Sequence, residues 1–198
     1  MNIELEKINN SYIGKFQREK KKFLQKLDKS LEVIEITFKD IWFNAIDDIQ
    51  EYRKNAIKEF KQLEEKKGLC VPISYSMLPV IVFYLQEEYA YLTFGKILNG
   101  NNDIFNVGTK DDYHKMIEKT KEYGNKIHAW ITTASGNIID LTIKENIVFG
   151  SPVSIYNKYN YIYEPYEVYD CSVLDNIQNI DKAFKGNIQI ITKGFKVS

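Results

Sequence analysis

Over the first third of the chain, apolar residues recur at helical spacing. Ile34, Phe38, Ile41, Ala45, Ile49, Tyr52, Ala56, Phe60 and Leu63 follow one another at steps of three and four, which lines them along one helical face. Phe16, Phe23, Leu24, Leu27 and Leu31 form an earlier, less regular set. Positions 15–67 contain neither Gly nor Pro, the residues that most often interrupt a helix. One continuous helix of that length would outrun a domain of this size. The pattern therefore predicts two helices, with a turn near 28–30 or 37–40. Gly68 ends the region. The apolar stretch 73–85 comes next, and Pro72 suits the first turn of a helix there, whereas Pro79 predicts a kink or an early end. Positions 99–103 form a loop, and 111–124 read as a short amphipathic helix capped by Gly124.

From position 126 onward the hydrophobic pattern shifts towards strands. Segments 127–133 and 137–142 flank a turn at Ala134, Ser135 and Gly136, a hairpin signal. In the Tyr- and Ile-rich tail, 153–156, 161–163 and 188–192 read as further strands. Helices first and strands later predict an α+β fold rather than an alternating α/β one. The chain divides into an N-terminal helical region, 1–67, and a core, 68–198. The first part reads as a lid, an arm, or a dimer or partner contact through the N-terminal helices.

Composition narrows the partners. The chain has 198 residues, enough for one well-buried core. Lys+Arg and Asp+Glu both number 27, so there is no basic surplus to hold nucleic acid or an anionic membrane. The basic group Lys15, Arg18, Lys20, Lys21 and Lys22 is nearly balanced by acidic neighbours and reads as a solvated face. The longest apolar run, 77–85, contains Pro79 and is too short to span a bilayer. The N-terminus lacks the regions of a signal peptide, which predicts a cytoplasmic protein. Two cysteines, Cys70 and Cys171, with no CxxC pair and only two histidines, His114 and His128, supply neither a disulfide scaffold nor a zinc quartet. No metal or cofactor is expected.

The candidate chemistry lies in three residues. Cys70 stands just after a glycine at the predicted start of a helix, where the dipole and unpaired N–H groups favour a thiolate and can receive an oxyanion. Side chains alternate along a strand, so His128, Trp130 and Thr132 share one face, and Ile138, Asp140 and Thr142 share another. A two-residue turn at Ser135 and Gly136 would put His128 and Asp140 on opposite faces. A three-residue loop with Gly136 as a left-handed bulge pairs Trp130 with Asp140 and brings His128 diagonally within reach of the carboxylate. Glycine in third place suits the second arrangement. Asp140 would then orient the imidazole that activates Cys70. His114, in a charged helix, and Cys171, in the tail, are expected to take no part.

The segments Gly68-Leu69-Cys70, His128-Ala129-Trp130 and 136–142 resemble the transglutaminase-like branch of the papain-like cysteine enzymes. Phe149-Gly150-Ser151-Pro152 is similar to an aromatic-Gly-x-Pro segment that sometimes follows in that branch. The resemblance covers roughly positions 63–155, and Leu141 stands where the family often has proline. It implies a papain-like core with a Cys70–His128–Asp140 triad that cleaves or transfers an acyl group from a peptide or other amide through a thioester. The family's oxyanion-hole residue ahead of the cysteine has Gln62 as its candidate here, and Trp130 is a candidate for substrate contact. Water resolving the thioester would make a peptidase or amidase, and an amine would make an acyltransferase. The implied partner is a peptide or protein substrate. A non-catalytic interaction module on the same fold is the alternative, since the long helices and 14 tyrosines could build a binding surface.

Overall fold

The computed structural model describes residues 3–26, 53–54, 70–85, 90–119, 128–143 and 147–169. Among them the order is α1 (Ile3–Lys26), α2 (Cys70–Leu85), β1 (Ala90–Asn99), β2 (Asn102–Asp103) and α3 (Lys110–Lys119). There follow β3 (His128–Thr133), β4 (Ile138–Asp140), β5 (Val148–Gly150), α4 (Pro152–Tyr159) and β6 (Tyr161–Tyr169). The fold is α+β, and among the described residues it is built on a six-stranded sheet in which every paired strand is antiparallel. β1 lies inside the sheet, with β3 along one edge and β6 along the other. Beyond β3 come β4 and then β5.

Helices cover both faces of this sheet, and the alternation of side chains divides the core in two. On one face Leu92, Phe94, Ala129, Ile131 and Ile139 meet Val71, Ile73, Met77, Leu78 and Ile81 of α2. Ile73, Met77 and Ile81 recur at four-residue steps, with Val71 and Leu78 beside them, so one side of the helix is apolar. Each such side chain, fully buried, contributes roughly 1.5–3 kcal/mol. On the other face Tyr91, Ile97, Trp130, Ile138, Tyr163 and Val168 meet Tyr12 and Phe16 of α1 and Ile155 of α4. Tyr12 is tied to the sheet by polar bonds as well. Its hydroxyl accepts from Trp130 Nε1 at 2.9 Å and pairs with Thr132 Oγ1 at 2.7 Å.

Several sequence expectations change here. α1, the described first part of the 1–67 region, packs into the core, with Tyr12 and Phe16 enclosed against the sheet. α2 begins at Cys70 and runs through Pro79 to Leu85, so the proline does not cut it short. Positions 153–156 are helical, not a strand. Ser151 caps α4 by accepting from Ser154 N, and Pro152 occupies its first turn, the arrangement that favours a helix start. β1 has no counterpart in the expected elements. The 28–30 and 37–40 turns, Gly124 and the 188–192 strand lie outside the described residues. Among the described residues, no helix is long and apolar enough to cross a membrane.

Candidate active site

The β3–β4 hairpin sets the site. Its register pairs Ile131 with Ile139 and Thr132 with Ile138, and Thr133 N donates to the Asn137 carbonyl at 2.9 Å. The loop is thus Ala134, Ser135 and Gly136, the three-residue alternative. Gly136 has φ +85, a conformation that costs other residues about 1–2 kcal/mol. A Cβ there would also lie 2.4 Å from Ile13 Cδ1. Continuing the register sets Asp140 opposite Trp130 and leaves His128 diagonal to it on the same face.

The two side chains meet. His128 Nε2 lies 2.6 Å from Asp140 Oδ2, and the residues are only 2% and 0% exposed. Asp140 is saturated from several sides. Its Oδ1 accepts from Thr142 N at 3.0 Å and Ile143 N at 3.1 Å, while Tyr163 OH donates to Oδ2 at 3.0 Å. Burial pushes this carboxyl up, but the His128 charge and these donors outweigh it and hold it below the ordinary carboxylate range. Burial pulls the imidazole down in turn, yet Asp140 and then Cys70 outweigh that and raise it to about 10. The pair is therefore ionised at neutral pH.

Cys70 reaches the same ring. It opens α2, is nearly buried, and its thiol is a hydrogen-bond partner of His128. With Nε2 taken by Asp140, Nδ1 is the nitrogen left for the sulfur. One turn along the helix, Ser74 Oγ donates to the carbonyl of Ala129 at 3.3 Å, which holds the first turn of α2 beside the start of β3. The imidazole is further held by rings. Phe105 stacks on it with centroids 4.3 Å apart and planes 7° apart, and Trp130 lies 6.2 Å away.

The other expected participants fare differently. Trp130 is fully enclosed, with its N–H bonded to Tyr12 and its ring against Tyr163. It has no surface to offer a substrate; it packs the wall behind the imidazole. Gln62 and Cys171 lie outside the described residues. His114 sits in α3 with Nε2 3.7 Å from Glu167 Oε1 and makes no part of this cluster. Among the described residues no group of His, Cys, Asp and Glu could hold a metal ion.

Three members of the cluster went unread in the sequence: Arg53, Phe105 and Tyr163. Buried Arg53 donates from Nε to the Leu141 carbonyl and lies within Coulombic reach of Asp140. Phe105 stands in the loop after β2, an irregular position that carries no periodic signal. Tyr163 had a signal, since it lay in an expected strand, but nothing local pointed its hydroxyl at Asp140. Comparison of the chain with family models, curated proteins and solved structures gives no match.

Proposed function

We propose that the protein is a cysteine hydrolase or acyltransferase that acts on a peptide or other amide bond, with Cys70 as nucleophile, His128 as base and acid, and Asp140 as orienting carboxylate. The observation that carries this reading is the buried line Cys70–His128–Asp140. Ionised groups withdrawn from water cost several kcal/mol and are weak contributors to stability, so their concentration around one thiol points to chemistry. The likeness of the three segments to transglutaminase-like enzymes supports the same roles.

In the reaction, the Cys70 thiolate adds to the substrate carbonyl carbon, and the π electrons move to oxygen. The first turn of α2 lies beside that oxygen, where its dipole favours negative charge. The tetrahedral intermediate collapses by breaking the C–N bond, and the His128 imidazolium gives its proton to the departing amine. Water or a second amine then loses a proton to His128 and attacks the thioester, and breaking the C–S bond releases the acyl product and restores the Cys70 thiolate beside the His128 imidazolium.

The test is the alkylation rate of each cysteine by iodoacetamide as a function of pH, in the wild type and in His128→Ala and His114→Ala. Fast, selective labelling of Cys70 near neutrality that is lost in His128→Ala and kept in His114→Ala is the expected result. Equal, slow labelling of both cysteines, unchanged in a folded His128→Ala variant, would refute it in favour of an interaction module.

A further inference from the structure

Arg53 comes from the N-terminal part of the chain, eighty-eight residues before the carbonyl it bonds. That carbonyl belongs to Leu141, inside the turn 140–143 whose backbone donors, Thr142 N and Ile143 N, fix Asp140 Oδ1. An arginine on the Leu141 carbonyl therefore holds the same turn from its other side.

The charges around Asp140 make a second, separate argument. The titratable groups facing it are His128 from β3, Tyr163 from β6 and Arg53, with Cys70 of α2 behind His128 and Tyr12 of α1 behind Tyr163. With Cys70 as thiolate, His128 as imidazolium and Asp140 as carboxylate, the line carries one net negative charge in a place closed to water. An uncompensated buried charge is costly. A guanidinium on the Leu141 carbonyl, within Coulombic reach of Asp140, brings the sum to zero and makes the signs alternate from sulfur to guanidinium. Arginine keeps that charge at any pH the protein meets.

We propose that Arg53 is a fourth member of the site, a positioning residue that clamps the turn 140–143 and neutralises the negative excess of the Cys70–His128–Asp140 line. The proposal rests on the cysteine-enzyme reading above. It also makes the N-terminal region a supplier of the site rather than a separable appendage. His128, Thr142 and Tyr163 lower the Asp140 pKa, so the carboxylate stays ionised without Arg53 and the effect is one of tuning.

The experiment uses the full chain, with Arg53→Gln and Arg53→Lys compared with the wild type. Two readouts are taken: the Cys70 alkylation rate by iodoacetamide against pH, and the His128 imidazole titration by NMR. In Arg53→Gln the rising limb of the alkylation profile moves up by about one pH unit, because the negative line has lost a cation. The His128 titration moves up as well, because Asp140 no longer shares its charge with a second cation. In Arg53→Lys the charge remains and the guanidinium bond is lost, so both midpoints stay near the wild type while the plateau of the alkylation rate falls about tenfold. A folded Arg53→Gln whose two curves overlay the wild type would overturn the proposal. If Arg53→Gln does not fold, Arg53→Lys decides: a slower rate supports the clamp, and an unchanged rate overturns it. A wild type whose Cys70 labels no faster than an ordinary thiol refutes the enzyme reading, yet the His128 titration still reports whether Arg53 acts on the line.

Discussion

Replacing Asp140 by Asn changes one atom type at the centre of the site and makes the sharpest single perturbation. Thr142 N and Ile143 N both point at Oδ1, so the amide of Asp140→Asn must turn its oxygen to them. Its NH2 group then faces His128 Nε2, where Oδ2 stood at 2.6 Å. Nε2 must become an acceptor, which forces the imidazole proton onto Nδ1, the nitrogen that faces Cys70. That nitrogen can no longer take a proton from the thiol. The variant also loses a charge-assisted hydrogen bond worth about 1.5–3 kcal/mol, which corresponds to a ~10- to 150-fold fall in Cys70 alkylation at neutral pH. The assay is alkylation against pH, with 15N NMR of labelled histidine to read the tautomer. A folded Asp140→Asn variant that labels within threefold of the wild type, or keeps its proton on Nε2, would show the reasoning to be wrong.

Further outcomes follow from the same geometry. The stability of the wild type relative to Asp140→Asn should depend on pH from both sides. The Asp140 contribution, from a pKa depressed on folding, is present above about 3.8 and lost as pH falls through the lower folded value. The His128 contribution, from a raised pKa, is fully present below about 6.5 and lost as pH rises through about 10. Thermal melts across that range check both limbs, and a flat difference curve contradicts them. Tyr163→Phe removes one donor from Asp140 Oδ2. It should cost about 1 kcal/mol of stability and shift the His128 NMR titration upward, as the carboxylate turns more of its charge to the imidazolium. Gly95→Ala should destabilise by roughly 3 kcal/mol or more in a urea melt, because its Cβ would lie 2.0 Å from the Glu164 carbonyl oxygen and 2.8 Å from Trp130 Cη2. A near-neutral result there would mean β1 and β6 part easily.

What could be read from the sequence was local. The hairpin register was legible in part: a glycine in third place favours the three-residue loop over a two-residue turn, and the loop in turn determines which side chains oppose. The start of α2 was legible from Gly68 and Pro72, both within three residues of Cys70. β1 was not, because it is buried on both faces at most positions; an interior strand loses the alternation that marks a half-exposed one. Val153, Ile155 and Tyr156 have strand propensity, and it was the Ser151-Pro152 cap that decided for a helix. Arg53 shows the limit most plainly. Inside a helical-looking stretch of alternating charge it looks like any solvated arginine, and only the folded chain brings it to Leu141.

The pairing of β1 with β6 bears on when the site comes into being. β1 joins Leu92 to Tyr169 and Asn99 to Tyr161, contacts between distant parts of the chain that close slowly. Tyr163, which donates to Asp140 and walls in Trp130, arrives on that strand. During synthesis the cysteine, histidine and aspartate all leave the ribosome before β6 does. A nascent chain therefore holds Cys70, His128 and Asp140 while still lacking Tyr163, which donates to the buried carboxylate. The surroundings of the His128–Asp140 pair are thus completed only when β6 joins β1.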